Sequence, residues 1–184
     1  MRAHLLVIAF VGISVATPMS AGQTPGDYEL QVKAAFVYQF TRYVEWPTGA
    51  LAPGAPFSVC VVAQSSVRRA IEHVLEGERF DGRPIRMMTP STPEAARTCH
   101  LLYVEAGAMA QGEPLLGAVE RSPVLTISDA SDFVENGGHI QLFREGPRVR
   151  FDLNRTTATQ RGLTLRSQLL RVARAIRVPA ADLR

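Results

Sequence analysis

The sequence predicts a three-layer α/β domain: a mainly parallel sheet covered by helices on both faces and extended near its C-terminus by an antiparallel hairpin. Three observations carry this. Short β-branched runs alternate with segments whose apolar residues recur at helical spacing. Those runs are bounded by turn signals, as buried strands are. The last two runs, His139–Phe143 and Val149–Leu153, are separated only by Arg144-Glu145-Gly146-Pro147, a hairpin-sized connection. The 184 residues are 46% hydrophobic and 20% charged with mean hydropathy +0.03, a globular balance that excludes collagen-like and disordered chains. That length suits one domain with a core needing no structural metal.

Residues 23–27 are a leader to a helix from Tyr28 to Trp46, where Val32, Ala35, Phe36, Phe40, Tyr43 and Val44 share a face. Pro47 ends it, because the residue before proline is pushed out of the α region. After a Pro/Gly loop at 48–56, Phe57–Ala63 reads as a buried strand and Val67–Glu76 as an amphipathic helix. Arg83–Met88 is a second strand, 93–97 one helical turn, Cys99–Val104 a third strand and Ala108–Glu120 a helix. Val124–Ser128 is the fourth strand, followed by a short helical or turn segment to Glu135 and the Gly137-Gly138 pair. After the hairpin, Asn154 is placed to cap a helix starting near Arg155. A last helix over 166–177 carries Leu169, Val172, Ala173 and Ile176 on one side and Arg166, Arg171, Arg174 and Arg177 on the other.

Residues 1–22 read as a secretory signal: Arg2, a 12-residue apolar run from Leu5 to Ala16, then small residues. Cleavage is expected after Ala16 or near Ala21-Gly22, leaving a single exported domain over 23–184. No other stretch reaches the roughly 20 apolar residues of a spanning helix. Export favours a disulfide between Cys60 and Cys99 over two free thiols. Metal binding is the competing reading, but there is no CxxC, and His100 beside Cys99 would point to the opposite face of a strand.

Of the 20 basic residues only Lys33 is a lysine, and the arginines are interleaved with 17 acids. No dense basic stripe with stacking aromatics exists, so nucleic acid is not an expected partner. The tools of catalysis are missing too: no GxSxG, GxGxxG, P-loop or HExxH. His73, His100 and His139, and Glu45 at a helix end, read as structural. Asp129 and Asp132 follow a strand, where functional groups and helix caps look alike. No enzyme activity, cofactor or metal is expected.

The segments Lys33–Phe40 (KAAFVYQF) and Tyr43–Pro47 (YVEWP) resemble the opening of the YfiR-like family of bacterial periplasmic regulators. Further matches follow in order: Phe57–Val61, Gly82–Ile85, Cys99–Val104, Pro123–Asp129, Phe133 with Gly137-Gly138, Val149–Asn154 and Leu169–Ala173. The resemblance implies a repressor that binds the periplasmic sensor domain of an inner-membrane diguanylate cyclase and holds down cyclic di-GMP synthesis. Some relatives act instead beside a sensor kinase. It pairs Cys60 with Cys99; a second disulfide, present in the best-known member of the family, is missing, its positions matching Val134 and Gln141.

A repressor needs a docking patch. The outer strand of the hairpin reads as a sheet edge, which makes Phe133, Ile140, Phe151 and Asp152 the expected partner-binding residues. On that reading Phe151→Ala or Asp152→Ala weakens binding and leaves the fold intact. Phe36, Phe40 and Tyr43 are expected in the core, with Trp46 capping it. A homodimer fits the family. The alternative is a small-molecule binding module acting with a sensor kinase or transport receptor, using a crevice at 63–66, 105–107 and 128–132. A hydrolase survives only if one pocket gathers Asp129, His100 and Glu105.

Overall fold

The computed structural model describes residues 25–177. The expected signal segment, residues 1–22, lies outside the described residues.

Helix α1 (Pro25–Tyr43) opens the domain and gives way to a two-residue strand β1 (Val44–Glu45). Strand β2 (Phe57–Val62) leads through α2 (Ser65–Leu75) to β3 (Arg79–Phe80) and β4 (Arg83–Met88). The turn α3 (Pro93–Ala96) is capped by Thr92, whose hydroxyl accepts the Ala95 N–H. It delivers the chain to β5 (Leu101–Val104). A 3₁₀ turn over Ala106–Ala108 runs into α4 (Met109–Ala118), then β6 (Leu125–Ser128). The hairpin is β7 (Ile140–Glu145) and β8 (Arg148–Asn154), turning at Gly146-Pro147. Helix α5 (Arg155–Gln160) starts where expected, the Asn154 side chain accepting the Thr157 N–H at 3.0 Å. A short β9 (Thr164–Leu165), α6 (Ser167–Val172) and β10 (Ala175–Arg177) complete the described chain.

Eight strands form the main sheet in the spatial order β10-β8-β7-β6-β5-β2-β4-β3, and β1 pairs separately with β9. From β4 through β2, β5 and β6 to β7 the neighbours are parallel; β7–β8 and β3–β4 are antiparallel, and β8–β10 is parallel. The mainly parallel α/β sheet with an antiparallel hairpin is therefore present. Two departures from expectation bear on the site. The Leu169–Ile176 stripe is not one helix, because α6 stops at Val172 and Ala173 turns extended (ψ 144). The hairpin's outer strand β8 is not an edge, because β10 pairs beside it with Ala175 opposite Asp152.

The side chains of each strand divide between two faces. On one, Val59, Val61, Leu101, Tyr103, Leu125, Ile127, Ile140, Leu142, Phe151 and Leu153 pack beneath α1, α2 and α6. Trp46 closes this core, standing edge-on to Phe57 and Phe80 and donating its indole N–H to the His100 carbonyl at 3.1 Å. On the other, Cys60, Val62, Leu102 and Val104 meet α3 and α4 through Ala96, Leu115 and Val119. Cys60 and Cys99 are joined there as a disulfide, Cα atoms 5.8 Å apart and 39 residues apart in sequence.

Candidate functional site

The most exposed large apolar residue among the described residues is Val172, 61% accessible, on the short helix α6. It borders a groove of about 400 Å³ between α1 and α6, lined by Phe36, Phe40, Tyr43, Phe151, Leu169 and Val172. The floor is an aromatic trio. Phe36 and Phe40 stack at 5.6 Å, one helical turn apart on α1, and both meet the Phe151 ring of β8 edge-on, at 5.5 and 5.1 Å. Such pairs add about 0.5–1.5 kcal/mol each beyond the area they bury, so the floor is preformed and stiff. Its rim is polar, with Gln39, Gln168 and the exposed Arg171.

Beside the groove the chain is anchored by charge. Arg174 binds both carboxylate oxygens of Asp152, its Nε donating at 2.9 Å, while the Ala175 N–H donates to the same carboxylate at 3.1 Å. The Arg174 guanidinium also lies 4.1 Å above the Phe143 ring. These contacts draw residues 173–177 out of helical geometry and hold β10 against β8. All three β10 residues are exposed, Ile176 at 37%.

The four residues expected to bind a partner do not form one surface. Ile140 is fully buried in the core, and Phe151 at 3% exposure shows only its edge to the groove floor. Asp152, 6% exposed, points to the opposite face and serves Arg174. Phe133, 7% exposed, packs so closely on Gly138 that a Cβ there would stand 2.2 Å from its ring, which is why a glycine occupies that position. The burial of Phe151 and Asp152 also revises what their substitution does: Phe151→Ala strikes the core before it strikes any surface. The residues that the reading missed are Leu169, Val172 and Arg171, seen in sequence only as parts of a longer helix.

The strand-end crevice offers fewer free groups than expected. Glu105 accepts the Gln64 N–H at 2.6 Å, and Asp129 accepts the Ala106 N–H at 2.7 Å. Lys33 reaches both Asp129 and Glu29 at 2.8 Å. Burial opposes the Lys33 charge, yet the hydrogen bonds to these carboxylates outweigh it and hold its pKa above the ordinary lysine value. Burial, with the nearby Asp129 charge, keeps the Tyr103 phenol protonated. Asp129 thus ties α1, β5 and β6 together. His100 is at the other end of β5, its Nδ1 accepting the Ser58 N–H at 2.9 Å and its pKa lowered by burial. His100 therefore lies at the opposite end of β5 from Asp129 and Glu105, and the grouping a hydrolase required does not form.

The YfiR/HmsC-like family profile matches residues 30–174, nearly all of the described chain. The chain belongs to the YfiR/HmsC-like family. At family level the match supports a regulator of cyclic di-GMP signalling. No helix among the described residues is long and apolar enough to cross a membrane. No curated protein matches the sequence. Two solved structures are similar in fold. One is a conserved domain protein from Vibrio cholerae O1 biovar El Tor, at TM-score 0.56 and 14% identity, covering 80% of this chain and 60% of that one. The other is an ABC domain from Streptococcus pneumoniae in complex with L-Trp, at TM-score 0.53 and 13% identity, covering 76% of this chain and 61% of that one. This YfiR/HmsC-like chain thus spans about three-fifths of the length of either neighbour, and the likeness concerns fold alone.

Val134 and Gln141 are linked by a hydrogen bond, the Val134 N–H donating to the Gln141 side-chain oxygen at 3.4 Å.

Proposed function

We propose that this chain is a periplasmic regulator that docks on the sensor domain of an inner-membrane diguanylate cyclase and holds down cyclic di-GMP synthesis. The observation that carries the docking surface is the α1/α6 groove: an aromatic floor already assembled, an exposed Val172, and a rim bearing Arg171. It suits an apolar anchor on a partner segment flanked by acidic residues, laid into the groove as an amphipathic helix is. The exposed strand β10 adjoins the groove and offers backbone groups to the same partner. Repression follows if the partner's groove-binding shape belongs to its inactive state, because a binder shifts an equilibrium only by its differential affinity.

Within this reading the roles of the expected residues change. Phe151 serves as floor, Asp152 acts indirectly by seating Arg174 and β10, and Phe133 and Ile140 support the fold. Cross-linked capture of tagged protein from its own periplasm tests it, with Val172→Asp as the control. Recovery of one inner-membrane protein with a periplasmic sensor domain and a cytoplasmic cyclase, lost with Val172→Asp, is the expected result. Capture of a second copy alone makes the groove a homodimer face, and equal capture by the variant moves the docking site elsewhere. The alternative of a small-molecule module keeps a cavity of about 520 Å³ at the strand ends, lined by Ala63, Gln64 and Gly107, although Glu105 and Asp129 beside it are spent on backbone N–H groups; a second cavity also bears on it.

A further inference from the structure

A cavity of about 600 Å³ opens on the other face of the sheet, where α4 leaves β6 uncovered. It lies within the usual range for small-molecule sites. Arg161, from the loop after α5, reaches into it beside Gly137, Gly138 and Thr126; Glu113 and Glu120 reach it from the α4 side.

The state of Arg161 follows from the hydrogen bonds behind it. The fully buried His139 accepts the Thr126 backbone N–H on Nδ1 at 2.9 Å, so that nitrogen carries no proton. In the neutral ring, which burial favours, the proton is therefore on Nε2. Arg161 Nη1 stands 3.4 Å from that same Nε2, but two N–H donors cannot bond to each other. What remains to the half-buried guanidinium is one long contact, Nη2 to the Gly137 carbonyl at 3.4 Å. Among the described residues no carboxylate pairs with it; desolvation lowers its pKa and Glu120 offsets that only through its field. A guanidinium has five donors in a planar fork that suits a carboxylate. Leaving them mostly unused in a partly dry site is costly, and a bound carboxylate removes that cost.

We propose that this cavity binds a small zwitterion, its carboxylate on Arg161 and its ammonium group at Glu113 or Glu120. The mixed charge of the lining decides the class. A plain anion would meet two carboxylates and a plain cation would meet the arginine, whereas a molecule with both charges satisfies both sides. Leu116, Met109 and the Phe133 ring supply an apolar wall for a short carbon body. The site lies across the sheet from the groove, so this inference stands whether or not the docking reading does.

The test titrates the purified chain with alanine, β-alanine and γ-aminobutyrate, with butyrate and butylamine as one-ended controls, followed by amide NMR and calorimetry. Saturable binding of at least one zwitterion is expected, with shifts centred on Thr126, Gly137 and Gly138. Both one-ended compounds should bind about tenfold more weakly or worse, as should the zwitterion to Arg161→Gln. No saturable shifts with any zwitterion, shifts centred elsewhere, or undiminished binding to Arg161→Gln overturns the proposal. If Arg161→Gln does not fold, the exposed pair Glu113→Gln with Glu120→Gln decides. It must weaken the zwitterion about tenfold while leaving butyrate no weaker, and unchanged zwitterion binding refutes the site.

Discussion

The two faces of the sheet are stabilised by different means. Under α1, α2 and α6 the strands present an unbroken apolar surface from Val59 to Leu153, closed by aromatic contacts. The other face is apolar only over β2 and β5, where the disulfide and α4 lie. Over β6 to β8 it turns polar: Thr126, Ser128, His139, Asp152 and Asn154 are all buried there. Each has hydrogen-bond partners, so the cost of burying it is met. Apolar packing supplies bulk stability and tolerates shape changes poorly; the polar side specifies register and is sensitive to proton and charge. The first face should respond to lost volume and the second to chemistry.

The largest separation should come from Phe151→Ala, which removes the ring that joins α1 to β8. Truncating a buried phenylalanine costs about 3–5 kcal/mol, so urea denaturation should show a large fall in midpoint. A variant that keeps its stability would mean that the groove floor is not core. Reducing Cys60–Cys99 should cost about 3–4 kcal/mol by the chain-entropy account, read as the shift in unfolding midpoint with and without reductant.

Acid should single out the polar face. Burial pushes His139 down to about 3 from the ordinary 6.5, and the Arg161 charge adds to this. The unfolded chain then binds a proton below 6.5 that the folded chain refuses. This contribution is complete above pH 6.5 and falls by about 1 kcal/mol per pH unit between there and 3. His139→Asn, less stable at neutral pH, should lose this acid sensitivity, and an unchanged slope would assign it to other groups. A smaller effect is expected from Asp129→Ala, about 1–3 kcal/mol, because the Lys33 charge and the Ala106 N–H lose their partner. Smallest of all, Val172→Asp should move stability by less than about 0.5 kcal/mol while abolishing partner capture. Marked unfolding of that variant would make Val172 part of the core and erase the distinction between floor and rim.

Local signals were legible where local chemistry decides the structure. Asn154 caps α5 as its side chain requires, Arg83–Met88 forms a strand over the expected residues, and the hairpin forms between the two runs that predicted it. The misses have distant causes. Leu169, Val172, Ala173 and Ile176 fit helical spacing, but the Asp152 carboxylate, some twenty residues earlier, captures Arg174 and the Ala175 N–H and converts the segment to a strand. Val44–Glu45 likewise left the helix to pair with Leu165 and Thr164. Strand β3 was missed despite a readable sign: Asp81-Gly82, both with positive φ, is the pair that a tight hairpin turn demands. Phe151 was singled out as an edge residue, whereas it is buried in a strand that β10 flanks. Arg161 carries no local mark at all, since only the fold brings it to Thr126.

The Cys60–Cys99 bond closes a ring of chain that contains α2, β3, β4 and α3, the whole wing of the sheet beyond β2. In a compartment with proteases, a single cut between residues 61 and 98 would not release either fragment. The severed ends would stay within reach of their own sites at high effective concentration. A nicked molecule would therefore migrate as one chain until reduced and could go on occupying its partner, so damage to this wing would be silent in function and visible only on a reducing gel.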